Sequence, residues 1–365
     1  MSARSAHPHV ARPIRWTRWG ALAVVPAVLL ASPSLTRLPA RLVTGCPKWI
    51  ALAVLLELTS ILGFIAAFAL VFGAGMTRRQ SVMAGLRALG ASTVLPAGGL
   101  VGPAIGARSA NAEREPFRPL VRSTIAFAIL TTGPSVAALV LFGAGLWLGW
   151  PAGPHRAPVT LLPAVLAVAV LTVFWLLGKW AARATRSRRR ERLLPGWITG
   201  SARLFADGVA EAGRMLTARN WRLLGGLAYY AFDNAVLWAA FHAYGSAPPV
   251  GVIVMGYLVG SLAAAFPVPA GLGVVEGGLI GALVVYGAPA APATGAVLLY
   301  RGISLGLAVS LSAGAWSSRR TWLRRRLSRG PYAASRPSPS WLTFMAHAAD
   351  HRHGCHCPDR GKERT

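Results

Sequence analysis

Four ionisable residues lie inside long apolar stretches of this 365-residue sequence: Glu57, Asp233, Glu276 and Arg301. A charge in such a place is costly, so it often marks a functional site rather than a surface. Carboxylates there can bind protons or cationic groups, and a guanidinium can bind a phosphate in bidentate fashion. Pairing that serves packing alone is the structural alternative. Glu276 and Arg301 lie on neighbouring apolar segments, so the sequence predicts that they form a pair.

A helix break directly precedes Glu276. The sequence there is Phe-Pro-Val-Pro-Ala-Gly-Leu-Gly-Val-Val-Glu, with Pro267, Pro269, Gly271 and Gly273 within seven residues. Prolines and clustered glycines disfavour a continuous helix in lipid, and broken helices at membrane depth line cavities. We therefore expect the Glu276 carboxylate to point into a cavity from the first turn of the helix after the break.

A second broken element covers residues 81–107, where Pro96, Gly98 and Gly99 interrupt an apolar run. This segment is interpreted as a re-entrant hairpin or a broken helix. Its Leu-Pro-Ala-Gly-Gly-Leu-Val-Gly order is similar to that of the element before Glu276, and the predicted topology gives the two opposite orientations. Paired broken segments of this kind are typical of inverted repeats around a site at the membrane midplane, which is the hypothesis for this chain.

The composition indicates which elements position these residues. Hydrophobic residues make up 54% of the chain and charged residues 13%, with a mean hydropathy of +0.49, whereas soluble domains carry about a quarter charged residues. The fold class is predicted as an all-α polytopic membrane protein with six to eight transmembrane helices, including the two broken elements. The predicted apolar segments are residues 20–35, 48–75, 81–107, 123–150, 159–180, 223–244, 250–266, 271–286 and 292–316.

Basic residues are concentrated between the apolar segments. The net charge is +27, and 33 of the 38 lysines and arginines fall in residues 1–19, 76–122, 179–222 and 317–365, against four in the opposite loops. By the positive-inside rule the basic segments and both termini are cytoplasmic. This clustering is typical of topology signals and contacts with anionic lipids, and no nucleic-acid-binding motif accompanies it.

Three regions follow from this pattern. Residues 1–18 form a basic cytoplasmic N-terminus, residues 19–316 the transmembrane domain, and residues 317–365 a disordered, basic cytoplasmic tail. Residues 197–216 are predicted to form an amphipathic helix along the membrane. The tail contains histidines and two cysteines whose spacing matches no standard zinc site, so neither a metal nor a cofactor is expected.

Residues 266–278, together with Tyr300 and Arg301, resemble the membrane domain of bacterial lysylphosphatidylglycerol synthases and the related flippase-like family. Members typically read Pro-x-Pro-Gly-Gly-Leu-Gly-x-x-Glu, followed after a similar interval by Tyr-Arg. Here Ala270 replaces the first of the paired glycines. The resemblance covers about residues 20–316, and the soluble aminoacyltransferase domain of two-domain members has no counterpart in the tail.

The resemblance implies a bacterial inner-membrane protein that translocates or binds an anionic, aminoacylated or glycosylated lipid. Glu276, Arg301, Asp233 and Tyr300 are the candidate binding residues, and no catalytic residue is assigned. Membrane lipids are the expected partners, together with a separately encoded lipid-modifying enzyme. An ion-coupled transporter of small solutes and a membrane-embedded headgroup transferase remain alternatives. An enzyme is the less favoured class, because the spans lack a catalytic or metal-ligand constellation.

Overall fold

The computed structural model describes residues 45–95, 98–110, 117–150, 157–186, 196–218, 220–245, 247–265, 271 and 273–329. The predicted first helix at residues 20–35 lies outside this part of the chain. All regular structure in the described residues is helical. This part of the chain contains ten α-helices: α1 (Pro47–Phe72), α2 (Arg78–Val94), α3 (Gly98–Ala110), α4 (Phe117–Trp147), α5 (Ala157–Arg186), α6 (Gly196–Thr217), α7 (Leu224–Ala243), α8 (Val250–Ser261), α9 (Val274–Val285) and α10 (Ala290–Arg329).

Four of these helices are long and apolar enough to cross a bilayer. The spans are Pro47–Phe72, Phe117–Trp147, Pro158–Trp180 and Ala290–Ser318. Helix α7 has 20 residues, enough for the roughly 30 Å of a hydrocarbon core at 1.5 Å per residue. Shorter apolar helices at Val250–Ala264 and Val274–Val285 accompany the long ones. The predicted all-α, multi-pass membrane architecture is confirmed.

Helices α1 and α7 pack with their backbones close together. A β-carbon placed on Gly63 would lie 2.8 Å from the carbonyl oxygen of Gly225 and 2.8 Å from the amide nitrogen of Tyr229. A β-carbon on Gly225 would in turn lie 2.6 Å from the carbonyl oxygen of Gly63. The two backbones can approach this closely only because both positions are glycine, which is how small residues hold membrane helices together.

The two broken elements of the sequence are both helical hairpins of short helices. Helices α2 and α3 are separated by residues 95–97, and α8 and α9 by residues 262–273, which include a short 3₁₀ turn at Leu262–Ala265. Glycines line both interfaces: a β-carbon on Gly106 would meet Ala84, and one on Gly260 would lie 2.6 Å from the Leu279 Cα. The helix breaks therefore fall where the sequence predicts them, while the inverted repeat stays a hypothesis.

Two apolar clusters surround these elements. One is formed mainly by α1, α4 and α7–α10, with fully buried side chains such as Phe241, Leu279 and Leu283. The other joins α1, α2, α3 and α4, where Phe64 meets Phe127 edge to face at 5.4 Å between ring centroids. Because α1 contributes to both clusters, it connects the α2–α3 hairpin side of the protein to the α8–α9 side.

The segment predicted as an amphipathic helix, residues 197–216, is helical in the structure. Helix α6 extends one residue further at each end. It packs against α4 and α5, where Ala212 is buried and a β-carbon on Gly208 would meet Ile125. Glu211 forms an ion pair with Arg122 of α4 at 3.5 Å. The apolar face of α6 is thus at least partly covered by protein.

Helix α10 extends beyond residue 317, where the C-terminal tail was predicted to begin. The tail was expected to be disordered from residue 317, but the helix continues to Arg329. A change from apolar to basic residues ends a membrane span without ending a helix, because arginine, leucine and serine are compatible with helical backbone. Gly330 and Pro331 follow in the sequence, and both residue types are common helix stop signals.

Candidate functional site

The carboxylate of Glu276 closes the first turn of α9. The Gly273 amide donates to Glu276 Oε2 at 2.8 Å, which satisfies one of the backbone donors left open at a helix N-terminus. Gly271 and Gly273 have φ angles of +63° and +76°, a conformation that costs other residues energy. The backbone can adopt these angles directly before Glu276 because the two positions are glycine.

Arg301 of α10 forms an ion pair with Glu276 across the two helices. Arg301 Nε donates to Glu276 Oε1 at 3.2 Å. The side chains are 12% and 6% exposed, respectively, so the carboxylate is almost fully enclosed and the guanidinium retains a small accessible edge. Arg301 Nη2 lies on the side of Gly271, 3.8 Å from where a β-carbon of that residue would be. The structure thus brings together the two residues that the sequence predicts to pair.

The neighbouring residue on α10, Tyr300, faces a different partner. Its hydroxyl donates to Asp233 Oδ2 at 2.8 Å, and the hydroxyl of Tyr257 on α8 donates to the same oxygen. Asp233 is 7% exposed, Tyr300 5% and Tyr257 4%. Asp233 and Tyr300, two of the four predicted binding residues, therefore contact each other directly. Tyr257 also bonds to Asp233, although the sequence did not predict it as a binding residue. A tyrosine in an apolar helix gives no signal of its own, because such residues are usually core packing.

Glu57 of α1 completes this group. Its carboxyl lies near that of Asp233 and near the hydroxyl of Ser304. The residue is 4% exposed, and its Oε2 atom has no hydrogen-bond partner among the described residues. The sequence marks Glu57 as an ionisable residue in an apolar helix but does not place it in the binding set, because nothing in the chain links it to Asp233.

The two groups form one polar region in the apolar core. The charge of Arg301 acts on Asp233, and the side chains come from α1, α7, α8, α9 and α10. We call Glu57, Asp233, Tyr257, Tyr300 and Ser304 the carboxyl cluster, and Glu276 with Arg301 the ion pair. With three carboxyls and one guanidinium, the region can orient a phosphate on its cation and hold a proton or an amine on its acids.

The predicted break residues are only partly described. Gly98 and Gly99 form the start of α3, where Gly98 is buried against the backbone of Ser92 and Gly99 is exposed. Pro96, Pro267 and Pro269 lie outside the described residues. The α2–α3 element is a hairpin of two packed helices.

A buried arginine in the α2–α3 hairpin was not anticipated. Arg87 lies in the basic segment 76–122, which is predicted to be cytoplasmic, yet it is 6% exposed. Its Nε and Nη2 atoms donate to the Ala315 carbonyl at 3.0 and 2.8 Å, and Nη1 donates to Ser109 at 3.3 Å. These bonds tie both helices of the hairpin to α10. The available signal was an arginine within the apolar run that precedes Pro96.

Replacing Gly273 tests whether the left-handed turn positions Glu276. Gly273→Ala adds a β-carbon that meets no neighbour within 4 Å, so the change acts through the φ angle alone, at a cost of about 1–2 kcal/mol. We expect a lower thermal midpoint for the purified protein. Gly277→Ala, which also meets open space one turn along α9, is the matched control and should not lower it. Equal midpoints for the two variants would contradict this role of Gly273.

Comparison with known proteins agrees with the motif. The family model described as "Lysylphosphatidylglycerol synthase TM region" matches residues 18–312, which contain the whole polar region. No curated protein matches the chain. The resemblance found in residues 266–278 and 300–301 is thereby confirmed over most of the sequence.

Proposed function

The chain belongs to the family of lysylphosphatidylglycerol synthase transmembrane regions, and from that premise we propose that it is a flippase-like lipid translocase. It is a multi-pass membrane protein related to lipid-modifying systems. The proposed cargo is an anionic, aminoacylated or glycosylated lipid whose phosphate binds Arg301. The observation that supports this proposal most is the ion pair at the start of a broken helix.

Glu276 and Arg301 have different roles in the proposed site. Glu276 is already engaged by Gly273 N–H and by Arg301 Nε, so it occupies the helix N-terminus that an anion would otherwise use. Its role is to fix the orientation of the guanidinium. Arg301 then presents a pre-oriented, partly accessible donor group, and a planar fork of donors matches a phosphate.

The breaks explain how a headgroup could reach this site. Irregular backbone in a bilayer is tolerated where it lines a cavity, since lipid cannot satisfy its polar groups. The break between α8 and α9 lies directly beside the ion pair. We propose that the breaks near Pro96 and Pro269 act as two gates, so that the headgroup passes through the protein while the acyl chains remain in lipid.

The proposed location is the bacterial inner membrane, with both termini and the basic loops cytoplasmic. We predict that cysteines introduced by Ser187→Cys and Ser328→Cys resist a membrane-impermeant thiol reagent in intact cells, because the basic segments stay inside. Ser187 lies outside the described residues. The background variant carries serine in place of Cys46, Cys355 and Cys357.

A cysteine at Gly153, in the loop between α4 and α5, is the matched control for this labelling. It should react in intact cells, because the predicted topology puts that loop on the outer side. Labelling at position 187 or 328 before lysis, with membrane integrity verified, would contradict the orientation.

A leaflet-exchange assay tests the proposed function. The purified protein is reconstituted in vesicles that contain a trace of fluorescent phosphatidylglycerol, and dithionite then quenches the probe in the outer leaflet only. We expect the protein to make the inner-leaflet probe accessible as well. Parallel vesicles with a fluorescent aminoacylated phosphatidylglycerol, a glycolipid or phosphatidylcholine determine which headgroup is preferred.

Empty vesicles and vesicles with the Arg301→Gln variant are the controls. Quenching that stops at the outer-leaflet fraction for every probe would contradict translocation. A chemically altered probe lipid would favour the headgroup transferase instead. Accumulation of a water-soluble solute with an ion gradient, without lipid exchange, would favour the solute transporter.

A further inference from the structure

The carboxyl cluster contains two neighbouring acids that are both buried. Glu57 and Asp233 are 4% and 7% exposed and come from α1 and α7, the pair of helices held together by Gly63 and Gly225. Glu57 Oε2 has no hydrogen-bond partner among the described residues. The phosphate site proposed above does not use either acid, so their presence in the core needs a separate explanation.

Hydrogen-bond chemistry limits what this contact can be. An ionised carboxylate only accepts hydrogen bonds, so two ionised carboxylates cannot bond to each other. Asp233 Oδ2 already accepts from the hydroxyls of Tyr257 and Tyr300, which is the arrangement expected for the acceptor member of the pair. Glu57 is then the member that needs a proton in order to donate, and two carboxyls that share one site hold one proton between them.

We propose that Glu57 and Asp233 form a proton-binding dyad, and that the proton it takes up from one side of the membrane and releases to the other drives lipid translocation. One proton binds to the pair and leaves it, without any covalent step. This inference rests on the proposed lipid translocation for its second half, whereas the proton site itself stands independently.

The surroundings of the dyad favour a proton over a larger cation. From α7 it is faced by Tyr229 and Tyr230, from α8 by Tyr257, and from α10 by Tyr300 and Ser304. Arg301 is the cation that acts on Asp233, and Glu276 is its ion-pair partner. Two tyrosine hydroxyls are directed at Asp233 as donors, and donors directed at a site oppose a bound metal cation, which needs acceptors.

The connection to lipid runs through two consecutive residues. Tyr300 contacts the dyad and Arg301 contacts Glu276, so both sites depend on the position of one turn of α10. Uptake of a proton removes a negative charge near Arg301, which changes how strongly the guanidinium attracts a phosphate. Protonation and lipid binding are therefore coupled through charge as well as through the helix.

Infrared difference spectroscopy on the purified full-length protein tests the dyad without any transport. The wild-type protein should show a protonated carboxyl band that responds to pH, and Glu57→Gln and Asp233→Asn should each shift or remove it. Asp207→Asn, which alters an exposed acid on α6, is the control and should leave the band in place. A wild-type spectrum without a protonated carboxyl band would overturn the proton site.

Vesicles with an imposed pH gradient then test the coupling, with the fluorescent phosphatidylglycerol as the probe. We expect the gradient to change the wild-type exchange rate several-fold and to leave the Glu57→Gln rate the same with and without the gradient. A wild-type exchange rate that does not change with a pH gradient, or that changes with a sodium gradient instead, would overturn the coupling. If the wild-type protein exchanges no lipid at all, the proposed function fails, and the infrared result alone decides the proton site.

Discussion

The Glu276→Gln, Arg301→Gln double variant is expected to fold with near wild-type stability and to exchange no more lipid than empty vesicles. Removing one partner of a buried ion pair leaves the other charge uncompensated, at a cost of about 3–5 kcal/mol. Each single variant should therefore unfold at a markedly lower temperature in detergent. Removing both charges also removes that penalty, so the double variant should regain stability.

Lipid exchange by these variants distinguishes a role of the ion pair in lipid binding from a role in packing alone. If Arg301 holds the lipid phosphate, the stable double variant has no cation left to neutralise it, and exchange is lost. Arg301→Lys is the informative intermediate, because it retains the charge but lacks the planar fork that binds a phosphate in bidentate form. We expect partial exchange from it.

Thermal unfolding and the leaflet-exchange assay on the same preparations make the comparison. Full lipid exchange by the folded double variant would show that Glu276 and Arg301 serve packing alone. A double variant that stays as unstable as the single variants would show instead that the pair is not an independent structural unit, and that further contacts of these side chains matter.

Gly63→Leu is expected to prevent stable assembly of α1 with α7, and Gly63→Ala to destabilise the protein by about 1–3 kcal/mol through overpacking. Even one methyl group at this position would lie 2.8 Å from backbone atoms of Gly225 and Tyr229, which cannot rotate away as a side chain can. The two helices would have to separate, and with them Glu57 and Asp233.

For each variant, the size-exclusion profile and the thermal midpoint of the purified protein are measured in detergent. Gly133→Ala in α4 is the matched control, because a β-carbon there meets no atom within 4 Å and alanine is the better helix former. Gly225→Ala should reproduce the loss seen at Gly63. A Gly63→Ala protein as stable as the Gly133→Ala control would contradict the close backbone contact between α1 and α7.

The sequence alone determined the class of the protein and the location of its helix breaks. Long apolar runs with few charges specify membrane helices because lipid leaves no other way to satisfy the backbone. Proline and glycine specify the breaks because they cannot maintain a regular helix. The partnership of Glu276 with Arg301 was also predictable, since two opposite charges on adjacent apolar segments have strong reason to meet.

Only the tertiary structure decided which residues share the core with that pair. Glu57 and Asp233 lie 176 positions apart in the chain, and their contact depends on a glycine-to-glycine approach that no local pattern reports. Likewise, Arg87 belongs to a segment that the sequence predicts to be cytoplasmic, but the α2–α3 hairpin and α10 enclose it.

The same distinction applies to Tyr300 and Arg301, which the sequence presents as one motif. Consecutive residues of a helix point about 100° apart, so one side chain reaches Asp233 and the other Glu276. Local sequence fixes this angle, but only the packing of α7, α8 and α9 around α10 determines which partner lies in each direction. The two sites on α10 are therefore a property of the assembled bundle.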